Sequence, residues 1–164
     1  MKKIMTLVAV LLFVTAIQAQ TLQSLFDKYG NDERFEYVSV GKGMMNMASA
    51  FGGMVKNDKE LISKMNGIKI LTLNQSSDSP LMKSVVRDLD QIVEKGNFET
   101  AVEAREKGEN IHIYYRVIGN NNADMLIVTK EKDEFNVIWI SGKMSKEEMM
   151  HTFSSTAEKL NSLG

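Results

Sequence analysis

Apolar residues recur at two different periods along this chain, and the periods divide it into elements. Leu22, Leu25, Phe26 and Tyr29 fall at i, i+3, i+4 and i+7, one face of a short helix, and Gly30 suits its end. Phe35 to Val40 alternates weakly and reads as a strand, which Gly41-Lys42-Gly43 breaks. Met44, Met47, Ala48 and Phe51 return to helical spacing until Gly52-Gly53. Asn57-Asp58-Lys59-Glu60 reads as a helix cap before a short helix to Met65, and Gly67 to Leu73 alternates as a second strand. Ser79-Pro80 opens the most regular helix, with a capping hydroxyl and then proline at the first helical position. Leu81, Met82, Val85, Val86, Leu89, Ile92 and Val93 line one side of it, and Gly96 closes it.

From residue 98 the period changes to two. Phe98 to Arg105, Asn110 to Ile118, Asp124 to Lys130 and Phe135 to Ser141 all alternate, separated by short polar turns. Connections that short require antiparallel neighbours, so the four runs predict a meander. In the last run Phe135, Val137 and Trp139 alternate against Asn136, Ile138 and Ile140, an apolar pattern on both sides that suits a central strand. Ser145 to Glu148 forms a capping box between Met144 and Met149, opening a final helix with Met149, Phe153, Ala157 and Leu160 as its stripe. The order predicts an α+β fold, a two-layer α/β sandwich: a mostly antiparallel sheet with a C-terminal four-stranded meander and helices on one face. The first two strands flank a helix and could lie parallel as a right-handed crossover.

Residues 1–19 change the picture by giving an address. Lys2 and Lys3 precede an uncharged, mostly apolar run from Ile4 to Ile17, and Ala19 supplies the small residue at a cleavage site. The run is short for a bilayer span and a charged chain follows it, so it reads as a removed signal peptide, leaving residues 20–164 as a single domain. No cysteine is present. Disulfides and a lipid-bearing cysteine are therefore both excluded, which favours a soluble product of a bacterial periplasm or of the extracellular space. The chain carries 20 basic and 21 acidic residues, and loss of Lys2 and Lys3 leaves 18 against 21. Such a mildly acidic product has no electrostatic pull toward nucleic acid or anionic lipid, and no transmembrane segment is expected in the mature chain.

Several stretches together resemble a known family. They are the leader, the strand-to-helix step Tyr37-Val38-Ser39-Val40-Gly41-Lys42-Gly43-Met44, the strand Ile68-Lys69-Ile70-Leu71, the helix from Leu81 to Glu94, and the meander ending Trp139-Ile140-Ser141-Gly142. The chain resembles a family of exported Gram-negative proteins catalogued as domain of unknown function four-two-five-two. The resemblance implies a small exported domain, often a lipoprotein, and it assigns no functional residues. This chain departs from the lipoprotein members in lacking the cysteine.

The candidate chemistry is sparse. His112 and His151 are the two histidines, and no Gly-x-Ser-x-Gly elbow accompanies them. Asp88 and Asp90 lie two apart on a helix and point away from each other, as a solvated face and its edge. Asp124, Glu131, Asp133 and Glu134 read as a turn cluster without a calcium-loop pattern. Gly41-Lys42-Gly43 lacks the spacing of a phosphate loop and reads as a tight turn. Methionine is frequent: Met47 and Met149 fall on helical stripes as core filler, while Met45 and Met150 fall off them. With His151 these thioethers suggest a copper-handling alternative.

The better lead is one sheet face. Alternation places Glu103, Arg105, His112, Tyr114 and Arg116 on one side, and Ile111, Ile113, Tyr115 and Val117 on the other. If helices cover the apolar side, the mixed aromatic and charged side stays open as an anchor for a protein partner or a second copy. The plain alternative is a solvated face held by cross-strand pairs. The expected function is thus non-enzymatic binding, with no cofactor or metal. A small hydrolase-like enzyme using His112, Tyr114 and a nearby acid is the second reading.

Overall fold

The computed structural model describes residues 21–51, 60 and 62–148. The leader read over residues 1–19, the cap at residues 57–59 and the stripe of Met149, Phe153, Ala157 and Leu160 lie outside them. The elements are α1 (Leu22–Gly30), β1 (Phe35–Gly41), α2 (Lys42–Phe51), β2 (Met65–Leu73), α3 (Pro80–Lys95), β3 (Glu99–Glu106), β4 (Glu109–Ile118), β5 (Asn122–Lys130) and β6 (Phe135–Gly142).

The strands form an open six-stranded sheet in the order β1-β2-β6-β5-β4-β3, antiparallel throughout. This is the expected α+β fold, with two changes. The first is that helices lie on both faces: α1 and α3 pack on one, while Met45 of α2 packs onto Val40, Ile68 and Ile140 on the other, because both sides of the sheet are apolar. The second is that β1 and β2 pair antiparallel, Phe35 opposite Leu73 and Gly41 opposite Gly67, so there is no parallel crossover. The reason is where the chain returns. β1 ends at Gly41, and the paired part of β2 starts opposite that residue, so α2 leaves and re-enters at one end of the sheet. β3 and β4 are joined by Lys107-Gly108, both at positive φ (48° and 93°), as a two-residue hairpin turn requires.

Local chemistry fixes the helix starts. Thr21 and Ser24 cap α1 reciprocally: Ser24 N–H donates to Thr21 Oγ1 at 3.2 Å and Thr21 N–H to Ser24 Oγ at 2.9 Å. Ser79 Oγ accepts from Met82 N–H at 3.1 Å, and Pro80 follows where its missing N–H costs nothing. Ser145 and Glu148 show the expected capping box, with Glu148 N–H donating to Ser145 Oγ at 3.2 Å and Ser145 N–H to Glu148 Oε2 at 2.9 Å.

The main core lies between the sheet and the pair α1 and α3. Leu22, Leu25, Phe26 and Tyr29 of α1 and Met82, Val85, Leu89 and Ile92 of α3 close over Leu71, Leu73, Leu126, Val128, Phe135 and Val137. A side chain buried to this degree contributes about 1.5–3 kcal/mol of transfer free energy. Asp88 links the two helices, accepting from Lys28 Nζ at 2.6 Å and Tyr29 Oη at 2.8 Å. Its spacing predicts a solvated helix face, but packing of α1 against α3 buries it instead. Burial pushes its carboxyl pKa up, but the hydrogen bonds from Lys28 and Tyr29 outweigh that and hold it below the ordinary value.

The opposite face is apolar too. Val38, Ile70, Ile138, Ile127, Ile113 and Val102 stand in register across all six strands. Beside that row, Met45, Met65 and Met144 pack with Val40, Ile62, Ile68 and Ile140. Met45 is therefore the buried methionine of α2, while Met44 and Met47 are exposed, reversing the stripe expected from spacing. Met44-Met45-Asn46-Met47 offers two overlapping helical faces, and contact with Val40 and Ile68 selects the one carrying Met45.

Candidate functional site

Register decides which side chains share a face, because residues directly opposite in an antiparallel pair point the same way. Leu71, Val137, Val128, His112 and Glu103 form one row from β2 to β3, and Trp139, Leu126, Tyr114 and Thr100 form the next. The alternation that grouped His112, Tyr114 and Arg116 is therefore correct. The inference that this side is uncovered is corrected: Tyr114 and Trp139 pack against the core that α1 and α3 close. The physical reason is that both faces of the sheet are apolar over β2, β5 and β6, so alternation in β3 and β4 alone does not select the one α1 and α3 take.

The five residues divide. Arg116 is turned inward. Its Nε donates to Asp124 Oδ2 at 2.8 Å and its Nη1 to the Gly96 carbonyl at 3.3 Å, and its guanidinium lies over the Phe98 ring. Asp124, read as part of a turn cluster, is in fact a buried β5 carboxylate that also accepts from Trp139 Nε1 at 2.9 Å. This group ties the end of α3 to β4, β5 and β6.

Glu103, Arg105, His112 and Tyr114 stay together along the β3–β4 margin. Glu103 lies opposite His112, and Arg105 opposite Asn110, to whose Oδ1 its Nε donates at 2.7 Å. Glu103 and Arg105 are exposed, while His112 and Tyr114 are half-buried. The two rings stack at 5.8 Å with 12° between their planes. Burial pushes the Tyr114 phenol pKa up, and the carboxylates of Asp90 and Glu103 add to that. The strip thus lies between the Asp90 side of α3 and the free edge of β3. It offers a flat aromatic pair, a carboxylate and a guanidinium, a set suited to a polar partner surface.

A separate cavity of about 200 Å³ opens where α1 meets the sheet, lined by Gln23, Ser39, Lys69, Trp139 and Ser141. Lys69 Nζ donates to Gln23 Oε1 at 2.6 Å and stands 4.9 Å over the Trp139 ring. Sequence reasoning missed this site, and its only signal was a lysine among apolar strand residues. His112 and Tyr114 do not line it, so the residues of the hydrolase-like alternative are not gathered in that cleft. Among the described residues no group of three or more His, Asp or Glu could hold a metal ion. Of the copper-handling set, Met45 is buried among methionines, and Met150 and His151 lie outside the described residues.

Fold and site together define a small α+β domain on an open antiparallel sheet, and among its described residues no helix is long and apolar enough to cross a membrane. The family described as Domain of unknown function (DUF4252) matches residues 29–152, most of the chain, and the protein belongs to that family. No curated protein matches it.

Proposed function

We propose that this is an exported, non-enzymatic domain that binds a protein partner through Glu103, Arg105, His112 and Tyr114, with Arg116 bracing the strip from within. The observation that carries the reading is the stacked His112–Tyr114 pair held beside the exposed charges of edge strand β3. Rings already ordered by stacking and packing lose little entropy on docking, and a mixed aromatic and charged strip suits a partner better than a substrate. Export rests on the leader-like residues 1–19.

Two measurements test this. A photo-crosslinking residue placed at Arg105 or His112 is expected to capture a discrete partner, whereas the same residue at Lys83, on the exposed side of α3, captures none. The double variant Glu103→Lys, Arg105→Glu should abolish the adduct and keep the unfolding midpoint. Equal labelling from all three positions refutes the strip. N-terminal sequencing of the product from the cell envelope should begin at Gln20, and a cytoplasmic product still starting at Met1 refutes export.

A further inference from the structure

The second edge of the sheet has a different character, and it lies away from the strip. Among the described residues, six large hydrophobic side chains are exposed, and four of them are Tyr37, Val38, Met44 and Met47. All four belong to β1 and the helix that follows it. Val38 is 51% exposed and Met44 and Met47 are 64% and 58% exposed. No described strand lies beyond β1, so its outer backbone N–H and C=O groups face outward as a template for another strand.

β1 also lacks the devices that usually blunt an edge. It pairs with β2 over seven residues without a register shift, and Glu36 is its one charged side chain. β3, the opposite edge, has a bulge between Thr100 and Val102 and carries Glu99, Glu103, Arg105 and Glu106. Bulges and charges of that kind discourage strand addition.

We propose that β1 pairs antiparallel with β1 of a second copy of this chain, joining two six-stranded sheets into one. The strand is self-complementary about Val38. In that register Phe35 faces Gly41, Glu36 faces Val40, Tyr37 faces Ser39 and Val38 faces its own equivalent, so no like charges are opposed. The same alignment carries the row of Val38, Ile70, Ile138, Ile127, Ile113 and Val102 straight into the second copy. Centred on the opposite edge, β3 would instead set Glu99 against Glu106 of its mate. Met44 and Met47, exposed because Met45 is the residue turned onto Val40 and Ile68, add adaptable apolar surface on the helix that directly follows β1.

Absence of cysteine makes the test clean. Directly opposed residues of antiparallel strands stand within disulfide range. Val38→Cys is therefore expected to cross-link as a dimer under mild oxidation, and Ala104→Cys on β3 is expected to stay monomeric. In analytical ultracentrifugation the unaltered chain should show a concentration-dependent dimer. Val38→Lys, which opposes two ammonium groups, should raise the dissociation constant about tenfold or more. Circular dichroism of the same sample confirms its fold, and Met47→Lys provides a second variant outside the sheet. The double variant at Glu103 and Arg105 should dimerise normally, so failure of the partner strip and failure of this seam are read separately. A chain that sediments as a monomer at every concentration, a dimer indifferent to both lysine variants, or cross-linking at Ala104 in place of Val38 overturns the proposal.

Discussion

The two faces of this sheet are both apolar, yet they are built to different finish. On the face under α1 and α3 the side chains of Phe26, Leu71, Leu73, Met82, Val85, Leu126 and Val137 are essentially sealed. On the other face Ile70, Ile138 and Ile127 are only half-buried and Val38 at the edge is open, although Ile113, Tyr115 and Met125 toward β4 form a smaller buried cluster. The lesson is that hydrophobic alternation reports which residues travel together but not how completely they are enclosed. Polar anchoring differs as well: Asp88 and Asp124 are both buried carboxylates on the side of α1 and α3, each fully partnered.

That contrast can be broken by substitution. Phe26→Ala removes a sealed aromatic that touches Trp139 and is expected to cost about 3–5 kcal/mol in chemical denaturation. Asp124→Ala leaves Arg116 and the Trp139 N–H without their partner. About 3 kcal/mol is expected from the same measurement, at the low end for a broken buried pair because Arg116 keeps some access to water. Ile127→Ala, in the half-buried row, should cost only about 1 kcal/mol, since less area is withdrawn from water there. A loss equal to that of Phe26→Ala would mean the two faces are equally sealed. Ser145→Ala removes a helix cap, with a similar expected loss of about 1 kcal/mol.

The pH dependence sharpens the same comparison. The Asp88 carboxyl has a folded pKa below its ordinary value. Its contribution is therefore fully present above the unfolded carboxylate pKa and fades as pH falls through the lower folded one. Asp88→Asn should flatten the acid limb of the stability curve, and an unchanged limb would show that other carboxylates set it.

Legibility in the sequence followed the range of the interactions. α3 was readable because Ser79, Pro80 and Gly96 mark its ends locally, and the late strands because their turns are short. The common side of His112 and Tyr114 was readable from alternation. The covering of that side was not, because it depends on Leu22 to Tyr29 and Met82 to Ile92 meeting the sheet across long stretches of chain. The role of Asp88 was invisible for the same reason, since its partners Lys28 and Tyr29 are about sixty residues away. In α2 the four-residue run of three methionines left the rotation of the helix open until tertiary contact chose it.

One feature of strand order has a consequence for assembly in time. Among the described strands β6 is the last made, and it sits between β2 and β5. Until residues 135–142 arrive, no strand pairing joins the β1–β2 pair to the three strands β3, β4 and β5, and the wedging of this segment between them is expected to be the slow, long-range step. A chain that stops at Glu134 should show no cooperative unfolding transition, because the strand that unites the two parts of the sheet has not yet been made.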